Sequence, residues 1–193
     1  MSRLERTLAA VGLALTLAMS LTLGVIAGPA GCTRQKAGQQ PDPRPRVDKA
    51  LMTCLGAIRS YHRQADLHLA RSNPTAAREA VAQILAMKCT GRTNPEIREA
   101  VLDVYGRLVR LHMQQGELDE AARWLAKGMQ RKGPPSFFRA NLYMVHGDLL
   151  DARAIALDKA GQKAEADKLR RQAIDAFERS SKMNRQLLGE LVK

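Results

Sequence analysis

At 193 residues the chain has the length of one ordinary domain, and no second hydrophobic pattern adds another. Ala, Leu, Arg, Gln and Glu dominate, aromatic residues make up 4%, and β-branched runs of strand length are absent outside the N-terminal segment, which excludes a β-rich fold and predicts an all-α one. The charge, 31 Lys+Arg against 19 Asp+Glu for a net +12, would point to nucleic acid if it were concentrated. The positive residues are scattered, however, and seven aromatics are too few for a base-stacking platform, so no nucleic-acid partner is expected.

The chain begins with Arg3 and Arg6, then runs from Thr7 to Thr33 without a charge: "TLAAVGLALTLAMSLTLGVIAGPAGCT". A short basic stretch before an apolar one is the plan of an export signal. At about 20 residues per crossing, the same run is also long enough to span a bilayer. Three readings stand: a lipoprotein signal, a retained anchor with Arg3 and Arg6 inside, and cleavage near Ala30 to release a soluble protein. All three place the remainder outside the cytoplasm. The stretch "IAGPAGC" resembles a bacterial lipoprotein signal, with small residues directly before a cysteine, although Pro29 stands where that family usually has an aliphatic residue. The resemblance implies residues 1–31 as signal peptide or membrane anchor and Cys32 as the lipid attachment point, carrying acyl chains such as palmitate. Thr33 rather than Asp after the cysteine implies outer-membrane sorting in a Gram-negative cell. Residues 32–46, with Pro41, Pro43 and Pro45 among charged residues, cannot bury enough apolar surface to order themselves and read as a flexible tether. In extended form its 14 residues after Cys32 reach roughly 40 Å.

From residue 47 to 193 apolar residues recur at helical spacing and breakers fall at regular positions. Six helices are predicted. The first runs from Asp48 to Ala70, stopped by "RSNP", and the second from Pro74 to Met87, stopped by "CTGRTNP". The third, Pro95 to Gln115, carries Ile97, Val101, Val104, Leu108 and Leu111 as one stripe and is closed by Gly116. A fourth spans Glu117 to Arg131, a fifth starts near Pro135 or Ser136 and reaches Ala160, and a sixth runs from Gln162 to the C-terminus. Paired in order, they make three antiparallel hairpins.

"GELDEAARWLAKG" lies over "GQKAEADKLRRQA" at an offset of 45, matching Gly116 with Gly161 and Ala121 with Ala166. "SNPTAAREAVAQI" fits the same frame at an offset of 44, with Ser72 in the Gly position and Ala77 in the Ala position. Tyr61 and His68 recur 44 residues on as Tyr105 and His112. Glycine permits a tight turn and alanine lets two helix backbones approach, which is what a helical hairpin needs. The unit "YGRLVRLHMQQGELDEAARWLAKG" resembles the tetratricopeptide repeat family, with Tyr105, Leu108, His112, Gly116, Leu118, Ala121 and Leu125 at its signature places, though the period exceeds the usual 34. The resemblance implies a TPR-like array or right-handed superhelix whose first helices (A helices) line a concave face. Arg63, Tyr105, Arg107, His112 and Asn141 are then candidate partner-binding residues, suited to an acidic or C-terminal carboxylate motif. The long period leaves a plain six-helix bundle as the alternative.

Cys54 and Cys89 lie 18 and 17 residues on either side of the first turn, so an antiparallel pair brings them to one level. Outside the cytoplasm that pairing is a disulfide; the alternative is two buried thiols acting as small hydrophobes. His62 with Asp66, and His146 with Asp148 and Asp151, read as polar helix faces rather than metal or catalytic sites. Trp124, Tyr105, Tyr143, Phe137 and Phe138 read as packing residues. No P-loop, HExxH, GxSxG, CxxC or strand-borne GxGxxG occurs, so no cofactor, metal or small-molecule substrate is expected. The expectation is a non-enzymatic, membrane-tethered envelope adaptor with a protein partner. The alternatives are an envelope enzyme or regulator acting on an anionic polymer such as peptidoglycan, and a purely structural spacer.

Overall fold

A computed structural model describes residues 48–89 and 94–191 of the chain. The signal or anchor segment 1–31, Cys32 and the tether 32–46 lie outside the described residues, so the expectations placed on them are not addressed by it. The described chain is all-helical: α1 Lys49–Ala70, α2 Pro74–Ala86, α3 Pro95–Gln114, α4 Leu118–Met129, α5 Phe137–Lys159 and α6 Lys163–Leu191. Each boundary has a local cause. Asp48, Asn73, Asn94 and Ser136 sit just outside their helices and accept from the backbone N–H of Leu51, Ala76, Glu96 and Arg139 respectively, which satisfies donors that the first turn leaves open. Pro74 and Pro95 follow their caps at the first helical position, where a missing N–H costs nothing. Helices α1, α4 and α5 begin one or two residues later than periodicity predicts, because Asp48, Glu117 and Ser136 are capping residues with non-helical backbone.

The three hairpin turns are copies of one another. Ser72, Gly116 and Gly161 adopt the left-handed conformation, at φ 55°, 74° and 78°. The residue after each donates its N–H back to the carbonyl five residues upstream: Asn73 to His68, Glu117 to His112, Gln162 to Leu157, at 2.9–3.0 Å. This is the Schellman closure of a helix C-terminus, and Ser72 adopts it without the freedom of glycine.

Packing follows hairpin order. Helices α1 and α2, α3 and α4, and α5 and α6 pair, and α3 joins the first hairpin to the third through contacts on α1, α2 and α5. Neither α1 nor α2 meets α5 or α6, and among the described residues α6 packs on α5 alone. The architecture is therefore an open stack of three hairpins rather than the closed bundle held as the alternative. Two cores result. In one, Ile58, Ala65, Ala77, Val81 and Ile84 of the first hairpin enclose Ile97, Val104, Leu108 and Leu111 of α3. In the other, Leu102 and Val109 of α3 and Ala121 and Leu125 of α4 enclose Leu142, Val145 and Leu149 of α5. Each fully buried Leu, Ile or Val contributes roughly 1.5–3 kcal/mol, and α3 supplies residues to both cores. Ala77, Ala121 and Ala166, matched by the internal repeat, are all completely buried where two helices come close.

The open end of the first hairpin is joined by a Cys54–Cys89 disulfide with Cα atoms 5.8 Å apart. It ties α1 to the segment after α2 and closes a 35-residue separation, which stabilises by roughly 3–4 kcal/mol through the unfolded chain. Phe137 and Phe138 depart from the packing expectation: both are exposed at the start of α5, where no later helix covers them. Phe177 instead lies across Gly147, where a Cβ would sit 2.5 Å from the ring.

Candidate functional site

Along one side of the stack the first helices of the three hairpins, α1, α3 and α5, carry a lane of polar residues linked into two rungs. In the first rung, Arg107 of α3 donates to Asp66 Oδ1 at 2.5 Å and lies 3.0 Å from His62 Nδ1, both on α1. Because the guanidinium donates, Nδ1 accepts, and the proton of the neutral imidazole sits on Nε2, 3.8 Å from Asp103 Oδ2. Burial and then the Arg107 charge lower the His62 pKa, against the pull of Asp103 and Asp66. His62 is thus held neutral at pH 7, the form this bond requires.

The second rung joins α3 to α5. Arg110 donates to Asn141 Oδ1 at 2.6 Å. Close packing allows this reach, since a Cβ on Gly106 would meet the Asn141 amide at 3.4 Å. Asp148 lies within the field of Arg110; its burial raises the carboxyl pKa, with Asp151 adding to the rise and Arg110 opposing it. On the same helix His146 is pushed down by burial and by Arg179. Asp103 and Asp148 are 45 residues apart, so the acidic member of each rung is a repeated position.

The five candidate residues separate into two groups. Arg107 and Asn141 lie in the lane, one in each rung, and Arg63 is exposed on α1, next to His62 in sequence. Tyr105 and His112 do not join them. Seven residues apart, they share the face of α3 that turns toward α4: Tyr105 packs over Gly128, and both rings lie beside Trp124, with centroids at 6.3 and 6.4 Å. His112 Nδ1 is 2.6 Å from Glu117 Oε2, and Arg78 of α2 donates to that same oxygen at 2.7 Å. These two bonds, that to His112 first, lower the Glu117 pKa. They also explain why Glu117, at the N-cap of α4, makes no capping bond with its side chain. His112 is therefore an internal contact of the second hairpin, and Arg78, through the same Glu117 oxygen, ties the first hairpin to it. The third hairpin is held similarly, with Arg153 of α5 donating to Asp119 Oδ1 at 2.8 Å.

Arg110 and Asp103 were missed by sequence reasoning, and Asp148 was read only as part of a polar helix face. The 45-residue recurrence of Asp was the signal available for them. The Arg107 guanidinium occupies the space between His62 and Asp66 where a shared cation would sit, and among the described residues no group of three or more His, Cys, Asp or Glu is arranged to hold a metal. Nor, among them, is any helix long and apolar enough to cross a membrane; the apolar run 7–33 lies outside that set. No family model matches the chain, and no curated protein or solved structure matches it significantly.

Proposed function

We propose that this chain is a membrane-tethered adaptor of the cell envelope, which binds another protein through the side of the stack formed by α1, α3 and α5. One observation carries the reading: three hairpins in an open stack leave their first helices side by side, forming a continuous polar lane across α1, α3 and α5. An extended segment of a partner laid across three helices meets a fixed array of donors and acceptors, because the rungs hold Arg107, Arg110 and Asn141 in place before binding. Arg63 adds an exposed cation at one end of the lane, suited to a carboxylate of the partner. The export-type N-terminus, the proline-bearing segment after Cys32 and the cysteine pair at the first hairpin support the envelope address. In this reading lipid on Cys32 holds the stack to the membrane, and the chain performs no reaction of its own.

Two measurements test it. Intact mass of the membrane-extracted protein should equal the chain from Cys32 plus acyl chains, and a Cys32→Ala variant should lose that species. An uncleaved mass in both would remove the lipid anchor. Pull-downs from envelope extracts should lose their specific partner with Arg63→Glu and keep it with Arg171→Glu, an exposed cation on α6. Identical partner sets for both variants and the parent would remove the lane as the binding surface.

A further inference from the structure

The stacking face that α4 offers to α5 has a counterpart on α6 which, among the described residues, is covered only along its edge toward α5. Ala121, Leu125 and Met129 of α4 meet α5. Their counterparts 45 residues on are Ala166, Arg170 and Ile174. The first is buried against α5. The second turns the face polar near the hairpin turn, where Arg170 pairs with Asp158 and Asp167. Beyond it the face becomes apolar again and is partly open, with one side of the Phe177 ring resting on Gly147 of α5. Ile174 is 56% exposed, Phe177 36%, Leu188 54% and Leu191 73%. An open hollow lined by Ile174, Phe177, Glu178, Ser181 and Arg185 follows this stripe. Helix α6 has 29 residues against 23 in α5, so Leu188 and Leu191 run past the helix that supports the rest.

The spacing along this stripe, Ile174, Phe177, Ser181, Asn184, Leu188, Leu191, alternates three and four, the seam of a two-helix coiled coil. The seam is self-complementary when one copy is reversed. About a two-fold axis between Lys182 and Met183, Ile174 faces Leu191 of a second copy, Phe177 faces Leu188, and Ser181 faces Asn184, so apolar layers meet apolar ones and the polar pair meets itself. On the edge of the seam Glu178 falls opposite Arg185, within reach of an ion pair made twice by the symmetry. A parallel arrangement would instead set Glu178 opposite Ala173 and Arg185 opposite Ser180, with no ion pair on that edge.

We propose that α6 is a homodimerisation helix, pairing antiparallel with α6 of a second copy along Ile174, Phe177, Ser181, Asn184, Leu188 and Leu191. The contact is isologous and closed, so it stops at two chains and leaves the lane on α1, α3 and α5 open in each. The seam is about 26 Å long, and a helix pair of that length buries on the order of 1,000 Å², at the low end of specific interfaces. The dimer is therefore reversible, with dissociation expected in roughly the tens-of-micromolar range.

The test is sedimentation equilibrium of the full chain in a density-matched non-ionic detergent, from about 5 to 200 μM, with far-UV circular dichroism to verify folding. The parent should shift from one chain to two across that range. Leu188→Asp, on a surface position, should remain a single chain with unchanged helicity. Glu178→Arg and Arg185→Glu should each weaken self-association about tenfold. Mixed together, these two variants should pair with each other, because every edge contact is then Arg against Glu, and the double variant should recover the parent affinity. A parent that stays monomeric at 200 μM overturns the proposal. So does a dimer indifferent to Leu188→Asp, or charge variants that weaken association alone and do not rescue one another when mixed.

Discussion

The first hairpin and the two that follow it share a turn but hold their two helices together by different chemistry. In α1 and α2 the link is covalent, from Cys54 to Cys89, and Gly56 on α1 faces open space. In the second hairpin Tyr105 of α3 lies over Gly128 of α4, and in the third the roles reverse, with Phe177 of α6 over Gly147 of α5. An aromatic ring against a glycine lets two helices approach at the cost of specifying one residue on each. The disulfide achieves the same approach in the first hairpin, whose first helix has fewer buried residues than α3 or α5. The difference shows that this stack repeats its backbone geometry more faithfully than its side chains, since a short list of pairs solves one packing problem.

Removing the disulfide breaks the comparison most strongly. Cys54→Ser/Cys89→Ser should lower the stability of the chain by about 3–4 kcal/mol, because a 35-residue closure is returned to the unfolded ensemble. Chemical denaturation of the parent, with and without reductant, should give the same loss, and a loss confined to the first hairpin should appear as faster hydrogen exchange in α1 and α2. Next in size are the two glycines. A Cβ on Gly128 would stand 2.9 Å from Tyr105 Cβ, an atom fixed to its own backbone, so Gly128→Ala should cost about 2–3 kcal/mol. A Cβ on Gly147 would meet the far end of the partly exposed Phe177 ring, which swings aside, so Gly147→Ala should cost less, about 1–2 kcal/mol. Equal costs at the two sites would show that the ring over Gly147 is as confined as the one over Gly128.

The smallest effect comes from two half-buried histidines, one in the first rung of the lane and one on α5 beside Arg179 of α6. His62 and His146 both bind protons less readily in the folded chain than at their ordinary value of 6.5. The unfolded chain therefore takes up more protons as the pH drops through 6.5, and stability falls with it until the lowered folded values are passed. Asp148, raised above its ordinary 3.8, acts with the opposite sign and at lower pH. Melting temperature should drop between pH 7.5 and 5.5, and by less in His62→Gln/His146→Gln. The same drop in both proteins would place the titration elsewhere.

Much of this fold is legible in the sequence because the features that repeat are backbone features. Ser72, Gly116 and Gly161 mark the turns, and Ala77, Ala121 and Ala166 mark the close approaches. Counting outward from the first turn brings Cys54 and Cys89 level. Which face of a helix does what is less legible. Tyr105 and His112 carry residue types suited to a binding groove, yet α3 is packed on both sides, and a periodic stripe does not say which neighbour each side meets. Arg110 escaped notice for the same reason, its partner Asn141 being 31 residues away on a different hairpin. Phe137 and Phe138 look like core residues until the stack leaves the start of α5 uncovered.

The face built by α1, α3 and α5 is the surface proposed for the partner. A photo-reactive amino acid placed in the full chain in living cells, at position 63 and separately at position 171, tests it directly. The account predicts a discrete cross-linked adduct from position 63 and none from position 171. Equal adducts from both, or an adduct from position 171 alone, would contradict it.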